Sequence, residues 1–450
     1  MNPQIFREYD VRGIVDQDLT NEVVVLLGRG FGTYLSAQGK RRIVVARDGR
    51  LSSPRFRDAL VQGLLSTGKD IVDIGVCPTP VFYFSLFHLE REGGVMVTGS
   101  HNPAEFNGFK LCAGKETIYG EEIQSLRRII EGKQFVRGSG MLSSQEIIPP
   151  YQKFLLKNIR LERRLKVAVD SGNGTAGLVA PPILRGLGCE VIELYSELDG
   201  RFPNHFPDPT VPENMQGLIA KVRETGAEVG IGYDGDADRI GVVDHRGKII
   251  WGDQLMILFA REVLQAHPGA TIIGEVKSSQ NLYDEIARFG GRGIMWRAGH
   301  SLIKGKMKEE KALLGGEMSG HIFFADRYFG YDDAIYASCR LLEILSRSTG
   351  GIPELLREVP PTHTTPEIRI DCPDEKKFDL VERVKESFRR DYPLVEVDGV
   401  RLLFPDGWGL VRASNTQPVL VLRFEARSAE RLKEIRSLVE GRVSELAGAG

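Results

Sequence analysis

The chain has 450 residues, 42% of them hydrophobic and 27% charged, with a formal net charge of -2. That length is too great for a single core and predicts two to four domains, in a composition ordinary for a soluble globular protein. The near-neutral balance excludes a whole-surface footprint for nucleic acid, so any anion site is local. No apolar run reaches the roughly 18 residues of a membrane helix, and the N-terminal stretch through Asp10 has no apolar signal core. The cysteines Cys77, Cys112, Cys189, Cys339 and Cys372 are odd in number and form no C-x-x-C pair. They read as reduced core thiols of a cytoplasmic protein.

In chain order, strand-like apolar runs alternate with helical patterns. Residues 42–46, 71–76 and 94–97 read as strands and 121–130 as an amphipathic helix, the alternation of an α/β layer. A Pro-Pro linker at 147–150 follows. The pattern restarts at 165–169, which runs into the Gly-rich loop 170–175, and again at 271–276, so related α/β domains in series are expected. A third boundary lies near the Pro-Pro pair Pro360-Pro361. The last stretch differs in kind. Residues 394–397, 401–404, 410–412 and 419–424 read as strands, and a charged helix runs from Ala429, which predicts a small α+β domain with an antiparallel sheet.

Four loops carry chemistry. The first, Thr98-Gly99-Ser100-His101-Asn102-Pro103, follows the strand at 94–97 and presents a serine after a glycine. A triad hydrolase would need G-x-S-x-G entering a helix, and Pro103 argues against that. The second is Tyr233-Asp234-Gly235-Asp236-Ala237-Asp238-Arg239, after the apolar run 227–232. Like charges at alternate positions repel unless a cation or a set of donors compensates, and oxygen-only ligands suit a hard ion such as Mg²⁺. Gly235 and Ala237 keep the intervening positions small. Gly230, Gly232 and Gly235 also spell G-x-G-x-x-G, but a dinucleotide fingerprint should open a helix, and 239–250 reads as a hairpin turning at His245-Arg246-Gly247. An EF-hand is excluded because the positions that need Gly and Glu hold Arg239 and His245.

The third loop, Gly315-Gly316-Glu317-Met318-Ser319-Gly320-His321, offers a carboxylate, a hydroxyl and an imidazole to sugar hydroxyls. The fourth, Arg412-Ala413-Ser414-Asn415-Thr416-Gln417-Pro418, offers a guanidinium, hydroxyls, an amide and backbone N–H groups, a cradle for a phosphate dianion. Arg7, Tyr9, Arg12, Lys110, Lys277 and His300 are supporting candidates. His88, His205, His245, His267 and His363 read as structural.

Together and in this order, the T-G-S-H-N-P, D-G-D-A-D-R, G-E-M-S-G-H and R-A-S-N-T-x-P loops resemble the α-D-phosphohexomutase family, in particular its bacterial phosphomannomutase/phosphoglucomutase group. The likeness covers essentially the whole chain. It implies three related α/β domains and a TBP-like α+β domain around a central cleft. These are residues 1–147 with a phosphoserine loop, 148–248 with a metal-binding loop, 249–360 with a sugar-specificity loop and 361–450 with a phosphate-binding loop. By the resemblance Ser100 is the phosphoserine, and Asp234, Asp236 and Asp238 hold Mg²⁺ with a phosphate oxygen on Ser100. His101, Lys110, Arg12, His300 and Arg239 join Ser100 in the catalytic set, with Arg239 and Lys277 beside the metal loop. Tyr9, Arg12, Lys277, Glu317, Ser319, His321, Arg412, Ser414, Asn415 and Thr416 are the implied substrate contacts.

The implied reaction interconverts hexose 1-phosphate and hexose 6-phosphate, of mannose or glucose, through a hexose 1,6-bisphosphate. Phosphoglucosamine mutase is the runner-up, though its third loop resembles G-E-Q-S-G-H where this chain has Met318. A Mg²⁺-dependent phosphatase with an aspartate nucleophile and a non-catalytic sugar-phosphate sensor are readings from other classes. No nucleic acid or membrane partner is expected, and the chain is expected to be a monomer or small homo-oligomer.

Overall fold

The computed structural model describes residues 1–414 and 417–448. Four sheets follow one another along the chain. The first has seven strands. Its middle, Gly93–Val97, Arg42–Arg47 and Asp70–Val76, is parallel, and Phe106–Ala113 and Val11–Ile14 extend it antiparallel at one edge. The second sheet sets Lys166–Asp170, Glu190–Leu194 and Val229–Tyr233 parallel. It ends in the expected hairpin, with Ile240–Asp244 antiparallel to Val229–Tyr233 and paired in turn with Ile249–Ile250. A strand therefore follows the glycine pattern where a dinucleotide site would need a helix. The third sheet has Thr271–Glu275 parallel to Arg292–Trp296 and Leu314–Gly316, with Ile322–Phe324 antiparallel at the edge.

The fourth sheet is antiparallel throughout, and the helices Asp374–Phe388 and Ala429–Gly448 share its core. Here one strand is longer than expected. Gly407–Ala413 pairs with Val400–Phe404 across Pro405-Asp406, so Trp408 and Gly409 lie in the strand. The reason is burial: Trp408 is 1% exposed and its ring faces the Arg401 guanidinium at 3.8 Å. Among the described residues no helix is long and apolar enough to cross a membrane.

One apolar core runs through the first three units, whereas the fourth has its own. The fourth meets the third through a small patch of Val276, Trp408 and Leu410 and through buried polar contacts. Arg401 donates to the carbonyls of Val276 (2.8 Å) and Ser278 (2.9 Å), and Glu425 accepts from Trp408 Nε1 and the Gln280 N–H. The ion pairs Lys277–Glu367 (2.6 Å) and Arg423–Asp253 (3.5 Å) add to this attachment.

His205, read from sequence as structural, lies in the loop beneath the acidic segment. Its Nε2 is 3.1 Å from Asp170 and its Nδ1 2.8 Å from the Phe206 carbonyl, while the adjacent Pro207 packs on Gly172 and Gly235. Burial alone would lower its pKa, but the hydrogen bond to Asp170 and that carboxylate's charge outweigh burial and hold it above 6.5. A group whose folded pKa is raised stabilises fully below its unfolded value and loses that contribution as pH rises through the folded one. The expected result is that His205→Gln lowers the thermal midpoint most near pH 6 and progressively less toward pH 9, the window opened by a reference pKa of about 6.5. A pH-independent difference would show that the ion pair is not the cause.

Candidate active site

The strand Gly93–Val97 delivers Thr98, Gly99 and Ser100 to its carboxyl end, and its antiparallel neighbour Phe106–Ala113 places Lys110 opposite Met96. Ser100 is buried and adopts φ 48°, a left-handed backbone that costs a non-glycine residue about 1–3 kcal/mol. Its Oγ donates to Asp234 Oδ2 (3.0 Å) and lies 3.1 Å from His101 Nδ1.

The acidic loop bridges Val229–Tyr233 and Ile240–Asp244. Asp234 Oδ1 accepts from the Asp238 and Arg239 N–H groups (3.1 and 3.2 Å), and Ala237 sits at φ 60°. This closes the turn and gathers Asp234, Asp236 and Asp238, all wholly buried, with one oxygen from each within 4.8 Å of the others. Thr79 supports the loop through its N–H to the Asp236 carbonyl (2.8 Å) and its hydroxyl to Asp236 Oδ2 (2.6 Å). Lys110 Nζ lies 3.0 Å from Asp236 and also pairs with Asp238.

One ammonium does not neutralise three carboxylates. Burial and the charges of Asp238 and Asp236 hold the Asp234 carboxyl well above the usual range. Asp238 is driven the other way: burial would raise it, but Lys110, His321 and Arg239 overcome that and lower it. Lys110 is raised despite burial by Asp236, Asp238 and Asp332. Asp236 Oδ1 is buried without a hydrogen-bond partner, and Asp238 Oδ1 has only His321 Nε2, at 3.4 Å. An orphaned carboxylate oxygen in an oxygen-only set fits a hard divalent cation.

Around this centre the other loops close. The third forms a tight hairpin, with the Glu317 N–H donating to the His321 carbonyl and the Gly320 N–H to the Glu317 carbonyl. The Ile240 N–H donates to the Gly320 carbonyl (3.0 Å), joining the third loop to the acidic one by backbone. His321 lies between Glu317 (3.2 Å) and Asp238 (3.4 Å), with Ser319 Oγ 2.9 Å from Nδ1. Burial disfavours its charge, but Asp238 and Glu317 push it up to about 9. The Arg239 Nε–H, 3.3 Å from Nε2, favours the neutral ring, and the two flanking carboxylates outweigh it. Arg239 itself is raised, against burial, by Asp208, Asp234, Asp238 and Glu317.

His300 opens the helix His300–Glu310, stacks on His321 (5.4 Å) and meets the Tyr9 ring edge-on. Burial, with Lys304, His321 and Lys110 nearby, holds it well below 6.5, although Asp332 lies 3.5 Å from its Nδ1. Burial and the cations Arg239 and Arg12 likewise keep His101 neutral. Arg12 pairs with Asp10 and donates to Asn102 Oδ1 (2.7 Å), so it faces the serine loop.

The segment Ala298-Gly299-His300 ties the first, third and fourth units together. Tyr9 Oη donates to the Ala298 carbonyl (3.0 Å), the Ala298 N–H to Asp398 (3.1 Å), and the Gly299 N–H to Glu317 (2.6 Å). Asp398 also accepts from Arg412 Nε (2.9 Å). Burial would lower the Arg412 guanidinium, but Asp398, with Glu275 behind it, outweighs burial and raises it. Ser414 continues this strand end, its N–H donating to the Val419 carbonyl. Asn415 and Thr416 lie outside the described residues.

The charged neighbours of Lys277 are Glu275 (3.5 Å), Glu367 (2.6 Å) and Arg412. Glu367, between the strands His363–Thr364 and Ile368–Asp371 of the fourth sheet, reaches back to it. Glu275, which holds the Met318 N–H (2.7 Å), is pushed up to about 7, first by burial and then by Glu317 and Glu367. Sequence reasoning missed Glu275, Glu367, Asp332, Asp398, Asp48 and Arg50. The signal for Asp48 and Arg50 was available, since charged residues just past a parallel strand mark a ligand-facing edge.

Four family models match the chain. They are described as phosphoglucomutase/phosphomannomutase alpha/beta/alpha domain I (residues 3–137), domain II (149–247), domain III (251–363) and C-terminal domain (367–441). A phosphomannomutase/phosphoglucomutase of Pseudomonas aeruginosa is 48% identical over 96% of this chain and 94% of its own length. A phosphoglucomutase of Neisseria gonorrhoeae is 43% identical over 96% and 95%. The crystal structure of a phosphoglucomutase/phosphomannomutase family protein from Burkholderia thailandensis matches with a TM-score of 0.95 at 43% identity, covering 99% of this chain and 98% of that one.

Proposed function

The chain belongs to the phosphoglucomutase/phosphomannomutase family, and from that premise we propose how its own residues perform the reaction. It is a phosphohexomutase, interconverting hexose 1-phosphate and hexose 6-phosphate of glucose, mannose or both. Ser100 carries the phosphoryl group. The observation that bears most weight is its Oγ, held 3.0 Å from a wholly buried three-carboxylate loop. Asp234, Asp236 and Asp238 would hold Mg²⁺, which when bound supplies positive charge to the phosphoryl oxygens.

A free sugar hydroxyl attacks phosphorus as the bond to Ser100 Oγ breaks. His300, kept neutral, accepts the hydroxyl proton. Lys110, kept protonated, offsets negative charge at the centre, while Arg12 and His101 face the same loop. Glu317, Ser319 and His321 orient the sugar. Arg412, Ser414, Asn415, Thr416 and Lys277 grip the far phosphate. The hexose 1,6-bisphosphate then turns in the cleft, and its other phosphate returns to Ser100. The separate apolar core of the fourth unit would let it move as a body, permitting that exchange while excluding water. Five buried free thiols accord with a reducing cytoplasmic setting.

The test is peptide mass spectrometry after incubation with glucose 1,6-bisphosphate and Mg²⁺. One phosphate on the Ser100 peptide, discharged by excess hexose phosphate, is expected; hydrolysis of the sugar phosphate with Ser100 unlabelled would overturn the scheme. Relative turnover of mannose, glucose and glucosamine 1-phosphates then fixes the preferred hexose, and the named relatives favour the first two.

A further inference from the structure

The loop that carries Ser100 is moulded on one side chain outside the reacting set. Arg50 lies just past the strand Arg42–Arg47, is 1% exposed, and spends all four terminal N–H groups on that loop's carbonyls. Nη1 donates to Pro103 (2.6 Å) and Phe106 (3.0 Å), and Nη2 to Ser100 (2.8 Å) and Asn102 (2.5 Å). Asp48 fixes the guanidinium from behind, its Oδ2 3.2 Å from Nε, and the same oxygen accepts the Gly99 N–H (3.1 Å). A planar fork with paired donors suits this task; an ammonium with three donors at one point does not.

The clamp is sealed by the second unit. The Phe202 ring lies over the guanidinium at 5.1 Å, and Gly200 approaches so closely that a Cβ there would meet the Gly49 carbonyl at 2.4 Å. That covering loop is anchored to Asn173, whose side chain donates to the Glu197 carbonyl and whose carbonyl accepts the Asp199 N–H. Two residues on, the Thr175 N–H donates to the Gly235 carbonyl of the acidic loop. On its other side, Gly235 backs directly onto the Ser100 carbonyl. The serine loop and the acidic loop, from different units, are thus referenced to one another through Arg50 and its cover.

We propose that Arg50 is the positioning residue that holds Ser100 in its left-handed conformation and sets its reach to the acidic loop and the sugar hydroxyl. Arg50 is too enclosed to touch substrate. Its contribution is geometric, and a displacement of about 1 Å at a reacting centre costs about 10²-fold in rate. The inference rests on Ser100 as the phosphoryl carrier.

The test uses Arg50→Lys and, as a variant that leaves Arg50 in place, Gly99→Ala. An alanine Cβ at 99 would stand 2.5 Å from Arg50 Nε and push the guanidinium off its carbonyls. Each is expected to lower kcat about 10²-fold with KM for hexose phosphate changed less than about threefold. The double variant should be little worse than either alone, because both break one device. Folding is followed by thermal midpoint. If Arg50→Lys fails to fold, Gly99→Ala decides. Wild-type kcat in a folded variant, additive losses, or a loss confined to KM would overturn the proposal. Failure of the underlying reading would appear separately, as a wild-type enzyme whose Ser100 never takes phosphate.

Discussion

Ser100→Ala is expected to lower kcat by more than about 10⁴-fold while leaving the fold intact, because it deletes the atom that bears the transferred group. The structural cost should be small. The variant loses one hydrogen bond to Asp234 (3.0 Å), worth about 1–2 kcal/mol, and alanine meets the same backbone strain. Nor can a neighbour take over. Thr79 also donates to the acidic loop, but it is wholly buried at the start of the helix Thr79–His88, with both its N–H and its hydroxyl given to Asp236. The measurement is steady-state conversion of glucose 1-phosphate, in parallel with mass spectrometry for protein-bound phosphate. Near-normal turnover, or label retained on an aspartate of the acidic loop, would favour the phosphatase-like reading, in which the serine is dispensable.

What the sequence disclosed and what it concealed follow a physical division. Alternation of apolar runs with helical patterns exposed the α/β layering, since burial on both faces of parallel strands leaves that mark. The hairpin after Arg239 was equally legible, and it separated the glycine pattern from a dinucleotide site. The three aspartates stood out because like charges so close along a chain need a reason. By contrast, Asp332 and Asp398 look like any surface charge in sequence. They matter because chain segments tens to hundreds of residues apart enclose them, and no local pattern records that. Lys277 shows the same limit, since its partner Glu367 is 90 residues away. Trp408 was set between strands because its Pro-Asp-Gly surroundings read as a turn, and only burial against Arg401 reveals it as strand.

Asp238 joins the acidic loop to the sugar loop. Its carboxylate serves the acidic loop, pairs with Lys110 and lies 3.4 Å from His321, so it links the proposed metal set to the sugar loop. Charges that all lie within 4.8 Å of one another repel by at least about 3 kcal/mol a pair at the effective dielectric of a partly screened site. Lys110, Arg239 and His321 offset part of this repulsion, but Asp236 Oδ1 stays buried without a partner, and the loop gains from a divalent cation. Asp238→Asn removes one of those charges with little change in shape. It is expected to raise the Mg²⁺ concentration for half-maximal activity more than about 10-fold and to lower kcat at saturating Mg²⁺ about 10³-fold. Chelation of the wild-type enzyme should abolish turnover and added Mg²⁺ restore it. Titration calorimetry with Mg²⁺ alone separates the two contributions, because affinity for the ion is read without any reaction. Unchanged Mg²⁺ affinity in the variant would mean that Asp238 serves Lys110 and His321 rather than a metal, and the cation would then have to be sought at Asp234 and Asp236 alone.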